Sequence, residues 1–140
     1  MKIDHVRDIA AVEAGADLFD DAPQRDAIVR FLGQTGHHLL FAYDDDDKPI
    51  GFVTGTELTH PDKGTEMYFN ELGVAEEARR NGVATALVEA LIATAREAGC
   101  YGMWGVTEPD NLAALATYRR AQANSKEDVV LLAWDFSAEA

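Results

Sequence analysis

The residues best placed to do chemistry are the run Arg79-Arg80-Asn81-Gly82-Val83-Ala84-Thr85. A glycine in a turn lets the backbone approach a ligand closely, and the unpaired N–H groups and positive dipole end of a following helix favour an anion. The run lies between a strand-like segment ending near Val74 and an apolar-striped helix carrying Leu87, Leu91 and Ile92. It reads as a phosphate cradle. No Lys-Ser/Thr pair completes a nucleoside triphosphate loop.

The elements that must hold this cradle can be read from periodicity and punctuation. Residues 2–8 alternate weakly as a first strand, and 10–19 are Ala-rich enough for a helix. Pro23 opens a second helix with Ile28, Val29, Phe31 and Leu32 as its buried stripe and Gly33 as its stop. Residues 39–43 and 49–58 are β-rich runs joined by the turn Asp44-Asp45-Asp46-Asp47-Lys48. That acidic run lacks the spaced ligands and distal Glu of a calcium loop. After a turn at Pro61-Asp62-Lys63-Gly64, residues 66–74 form the next strand of an antiparallel meander, which argues against a dinucleotide fold. Residues 82–97 carry Val83, Leu87, Leu91 and Ala95 at helical spacing, with Gly99 as the stop. Residues 101–106 read as a buried strand parallel to the one ending at Val74. Asp110 or Asn111 caps a helix through Arg120, and residues 128–136 are the expected final strand.

Composition limits what the cradle serves. The 140 residues, 47% hydrophobic, suit one domain spanning 1–140 with a real core. The formal net charge of −13 repels phosphate backbones and anionic lipid, so no nucleic-acid or membrane partner is expected, while a cationic substrate fits. The same charge also serves plain solubility. No signal-peptide-like or membrane-spanning run is seen, and a cytoplasmic location is the expectation. Cys100, the one cysteine, reads as a small buried hydrophobe, and His37 and His38 have no ligand cluster around them, so no metal site is expected.

The order β-α-α-β-β-β-α-β-α-β, with the cradle between the fourth strand and third helix, resembles the GNAT superfamily of N-acetyltransferases. Their pyrophosphate signature is Gln or Arg, two residues, Gly, one residue, then Gly or Ala; Arg79, Gly82 and Ala84 satisfy it, and Asn111, Ala114 and Tyr118 stand at that family's spacing in the next helix. A closer resemblance is to the type I aminoglycoside 3-N-acetyltransferases, carried by Tyr68-Phe69-Asn70-Glu71-Leu72-Gly73-Val74, by Arg79 to Leu87, and by the terminal pair Trp134-Asp135. One departure stands out. The family places a Gly shortly after the residue matched by Tyr118, whereas Arg119-Arg120-Ala121-Gln122-Ala123 has none, so the turn is expected at Asn124-Ser125.

The resemblance implies an α/β (α+β) GNAT fold: a mixed sheet with an antiparallel meander, fourth and fifth strands splayed at a bulge, and about four flanking helices. It implies direct acetyl transfer from acetyl-CoA, in a ternary complex, to a primary amine of an aminoglycoside, with coenzyme A as product. The pantetheine arm would pair with backbone at Leu72, Gly73 and Val74, the Val74 N–H would face the thioester oxygen, and Arg79, Arg80, Asn81, Gly82, Val83, Ala84 and Thr85 would hold the pyrophosphate. A protonated amine needs a base, for which Glu71 is the candidate; holding the cationic substrate is its other reading. Tyr118 would protonate the departing thiolate, or else packs its helix. Asp135, beside Glu71, and more weakly Glu108 and Asp110 at the mouth of the same cleft, would bind ammonium groups, or are ordinary surface charges. Asn111 would cap its helix or bond the cofactor arm. Two other readings stay open: acetylation of another amine, such as a polyamine, small metabolite or peptide, and a noncatalytic acetyl-CoA-binding module. A homodimer is the common assembly for such an enzyme.

Overall fold

Apolar residues on both sides of the pleat make His37–Tyr43 a buried strand, with Leu40 and Ala42 facing one way and Leu39 and Phe41 the other. A sheet built around such a strand needs a helical layer on each face. The computed structural model, which describes residues 1–137, has that arrangement. Its elements are β1 (Lys2–His5), α1 (Ile9–Ala14), a 3-10 turn (Ala16–Leu18), α2 (Arg25–Gly33), β2 (His37–Tyr43), β3 (Pro49–His60), β4 (Gly64–Val74), a second 3-10 turn (Glu76–Ala78), α3 (Val83–Glu97), β5 (Met103–Trp104) and α4 (Leu112–Arg120).

The strands lie in the order β1-β2-β3-β4-β5. The first four are antiparallel neighbours, and β5 pairs parallel with β4 through Met67↔Met103 and Tyr68↔Trp104. On one face, Leu87, Leu91 and Val83 of α3 pack on Leu40, Val53, Met67 and Phe69. On the other, Val12 and Ile28 bring α1 and α2 onto Leu39, Phe41 and Phe52. The acidic hairpin is a closed turn, its Asp44 carboxylate accepting from the N–H groups of Asp46 and Lys48. Gly99 ends α3 in the left-handed conformation, φ +80°, with Cys100 N–H on Ala95 O and Gly99 N–H on Arg96 O. Those two bonds satisfy carbonyls the helix end would otherwise leave open.

Three expectations are corrected. Of residues 101–106 only Met103 and Trp104 pair as a strand. This short β5 is also held from β4, where the Glu66 carboxylate accepts from Tyr101 Oη at 2.5 Å and Trp104 Nε1 at 2.6 Å. The reversal after α4 falls at Gln122, φ +70°, which occupies the left-handed position a glycine would fill, and not at Asn124-Ser125. Residues 128–136 form no strand: they run exposed and unpaired past the body of the fold.

Leu91 is fully buried between α3 and the sheet. Leu91→Ala is expected to cost roughly 2–5 kcal/mol of stability, the range for a buried Leu truncated into a cavity. Equilibrium urea unfolding reads this as a lower midpoint at unchanged slope.

Candidate active site

The site begins with one extra residue in β4. Phe69 pairs with Gly55 and Glu71 with Thr54, so Asn70 is left without a partner in β3. Side chains alternate across a strand, and one inserted residue reverses the alternation beyond it. Met67 and Phe69 face α3, and after the bulge Leu72 and Val74 face α3 again. Glu71 is thereby turned to the opposite face, toward α1 and α2. There it lines a cleft of about 290 Å³ with Asp20, Asp21, Ile28, Phe31 and Thr54.

The same bulge frees the edge of β4. Pairing with β5 ends at Tyr68, and six further residues of β4 run on without a β5 partner. At the parting point Gly105 lies so close that an added Cβ would sit 2.9 Å from Phe69 O. Ala75 N–H bonds Ile50 O on β3, so by alternation the N–H and C=O of Val74 face the open side. Arg79 Nε donates to that Val74 carbonyl at 3.3 Å, tying the cradle to the strand end.

The cradle is a helix N-terminus without a side-chain cap. Gly82, φ +78°, is the N-cap of α3, and no atom lies within 4 Å of where its Cβ would be. Its carbonyl accepts from Ala86 N–H, which starts the helical ladder after the amides of Val83, Ala84 and Thr85. Arg80 also takes positive φ, +67°, and Asn81 Nδ2 reaches Ala78 O at 3.4 Å. Arg79, Arg80, Asn81 and Gly82 are all exposed.

Glu71 is open to solvent as a residue, but desolvation of its carboxyl in the cleft, and then the negative charge of Asp20, raise its pKa above the usual glutamate value. Its proton affinity is moved toward neutrality, as a base for an ammonium substrate requires. On the α3 face Tyr118 stacks edge-on against Phe69, ring centroids 5.4 Å apart, at the point where β4 and β5 part. Burial raises the phenol pKa, so the hydroxyl stays protonated and available as a donor.

The remaining expected residues fall elsewhere. The Asn111 side chain accepts from Ala114 N–H at 3.1 Å and so caps α4. Glu108 and Asp110 are exposed in the loop before α4 and do not line the Glu71 cleft. Asp135 lies on the exposed tail, bonded to Ser137, and not beside Glu71. The acidic residues that do share the cleft, Asp20 and Asp21, gave no sequence signal beyond preceding a helix, since only the packing of α2 brings them there. Thr54, buried with an unpartnered hydroxyl in the same wall, was equally silent. Among the described residues no group of three His, Cys, Asp or Glu side chains could hold a metal, and no helix is long and apolar enough to cross a membrane.

Residues 4–122 match the model of the Acetyltransferase (GNAT) family. The chain belongs to the GNAT acetyltransferases. It is an acetyl-CoA-dependent N-acetyltransferase by family. No curated protein sequence matches it. Among solved structures it is similar to the aminoglycoside acetyltransferase meta-AAC0020 from an uncultured soil metagenomic sample, in complex with sisomicin, with 19% identity, a TM-score of 0.85, and 96% of this chain and 95% of that one covered. It is also similar to the aminoglycoside 6'-N-acetyltransferase AAC(6')-IG of Acinetobacter haemolyticus, at 20% identity, TM-score 0.78, and 96% and 99% coverage. A third, AAC(6')-Iy bound to the bisubstrate analog CoA-S-monomethyl-acetylneamine, has 18% identity, TM-score 0.80, and 96% and 97% coverage. At such identities the likeness is one of fold. It places the chain's β4–β5 splay and cradle within the architecture its family model specifies.

Removing the negative neighbour should lower the Glu71 pKa. In Asp20→Asn, a carbon-13 NMR titration of the Glu71 carboxyl is expected to move to lower pH; an unmoved curve would show that Asp20 contributes nothing.

Proposed function

We propose that this GNAT enzyme transfers the acetyl group of acetyl-CoA to a primary amine of an aminoglycoside, at the 3-amino position, by direct attack in a ternary complex. The observation that carries the reading is the single bulge that at once opens the β4 edge and turns Glu71 into an acidic cleft. An aminoglycoside presents several ammonium groups, and Glu71, Asp20 and Asp21 offer several carboxylates. Structural neighbours whose substrates are aminoglycosides add support, and Tyr68 to Val74 with Arg79 to Leu87 points to the 3-amino regiochemistry.

In this scheme the cradle from Arg79 to Thr85 holds the pyrophosphate on the α3 N-terminus, where free amides and the helix dipole favour an anion. Leu72 to Val74 pair with the pantetheine arm as an added strand would. Bound there, acetyl-CoA supplies an activated acyl group. Glu71 takes the proton that the substrate ammonium must lose before nitrogen can attack, directly or through one water. The Val74 N–H donates to the oxygen on which negative charge grows, an interaction worth on the order of 3 kcal/mol in comparable sites. Tyr118 gives its proton to the departing thiolate sulfur. Transfer is complete when the amide has formed and the thiol has left.

The direct test offers acetyl-CoA with an aminoglycoside bearing a free 3-amino group, with polyamines and peptides as competing acceptors, and locates the product acetyl by NMR. Acetylation at the 3-amino nitrogen is expected. Product at a different amine would move the regiochemistry, and turnover confined to polyamines or peptides would replace the substrate class. Glu71→Gln should lower kcat/KM by about 100-fold or more and abolish its acidic limb, as loss of a general base does. Tyr118→Phe keeps the packing on Phe69 and should lower kcat by about 100-fold while leaving coenzyme A affinity within a few-fold.

A further inference from the structure

The tail after α4 is the part of the chain that the catalytic reading leaves unused. Residues 129–136 read Val-Val-Leu-Leu-Ala-Trp-Asp-Phe, and every large apolar side chain among them is exposed, from 61% at Val129 to 81% at Val130. In an extended segment Val130, Leu132, Trp134 and Phe136 share one face, and Val129, Leu131 and Ala133 the other. Strands that are apolar on both faces belong inside a sheet covered on both sides, not at a solvated edge. Yet from Asn124 to Phe136 no backbone hydrogen bond reaches the body of the fold among the described residues. The only bonds there are local, from Ser137 to the Asp135 carboxylate.

The sheet has two edges, and they differ. β1 carries alternating charge at Lys2 and Asp4, which are exposed and paired with each other at 3.6 Å; such charges discourage strand addition. β5 is two residues long and flanked by exposed Tyr101, Trp104 and Val106. The Trp104 ring stacks on Tyr68 at 4.8 Å and remains 46% exposed. The apolar surface is therefore at the β5 edge.

We infer that residues 128–136 dock as an added strand on the β5 edge of a second copy of this chain, and that the two copies exchange tails reciprocally. The tail needs burial on both faces and projects from its own body, and the other copy offers an open, aromatic sheet edge. Reciprocal exchange about a two-fold axis uses each edge once and closes the assembly. Area supports it. The four tail aromatics of such a dimer would remove roughly 600–1,000 Å² from water. The eight Val and Leu side chains carry the total past the ~1,000 Å² expected of a stable interface.

Hydrogen exchange on the intact chain, measured by mass spectrometry at several protein concentrations beside sedimentation, tests this. A dimer is expected, with the amides of 129–134 protected at high concentration and losing protection as dilution yields monomer. Protection that is independent of concentration in a monomer would mean that the tail closes on its own sheet. A dimer with an unprotected tail would mean another interface. Either result overturns the inference. Leu132→Asp puts a charge into the docked strand and should raise the dimer dissociation constant on the order of 100-fold, with α3 amides still protected; an unchanged dissociation constant would also overturn it. Should that variant fail to fold, the exchange pattern of the unaltered chain still decides.

Discussion

The bulge at Asn70 is the constraint on which the rest of the site depends. Without the extra residue, alternation would carry Glu71 to the same face as Met67 and Phe69, against the apolar side chains of α3. A carboxylate there would be buried without a partner and costly. With it, Glu71 opens on the α2 side, Leu72 and Val74 return to the core, and β4 continues past the end of β5 with its outer edge free. One residue thus separates packing from chemistry along a single strand. It also divides the groups proposed to act between the two faces of the sheet, with Glu71 below and Tyr118 above the gap.

Charge is arranged around that gap with opposite signs at its two ends. The chain carries 25 acidic against 12 basic residues, yet Arg79 and Arg80 adjoin the one long helix whose N-terminus lacks a side-chain cap. At the other end Asp20, Asp21 and Glu71 share the cleft. An anionic donor and a cationic acceptor would then be drawn to different mouths of the same slot, and the global −13 attracts the acceptor at longer range.

Much of this was legible in the sequence, for physical reasons that differ element by element. The meander showed itself in alternating apolar runs between acidic turns, and α3 in the stripe Val83, Leu87, Leu91 closed by Gly99, because both patterns are set by local periodicity. The cradle was legible because Gly82 needs its positive φ. Asp20 and Asp21 were not, since their role depends on where α2 packs, some fifty residues before Glu71 in sequence. The tail failed in a more informative way. Val129 to Phe136 has the composition of a strand, but a strand requires a neighbour to bond, and this chain's own sheet does not supply one in the described fold. The α4 reversal is similar: Gln122 adopts the left-handed turn that the composition would have assigned to the more permissive Asn124.

The most direct measurement is a crystal structure of the ternary complex with coenzyme A and an aminoglycoside. The account predicts the pantetheine arm between β4 and β5, and the 3-amino nitrogen within about 3 Å of the Glu71 carboxylate or bridged to it by one water. An acceptor amine held by the loop of Glu108 and Asp110 with Glu71 unoccupied, or coenzyme A bound outside the splay, would contradict it.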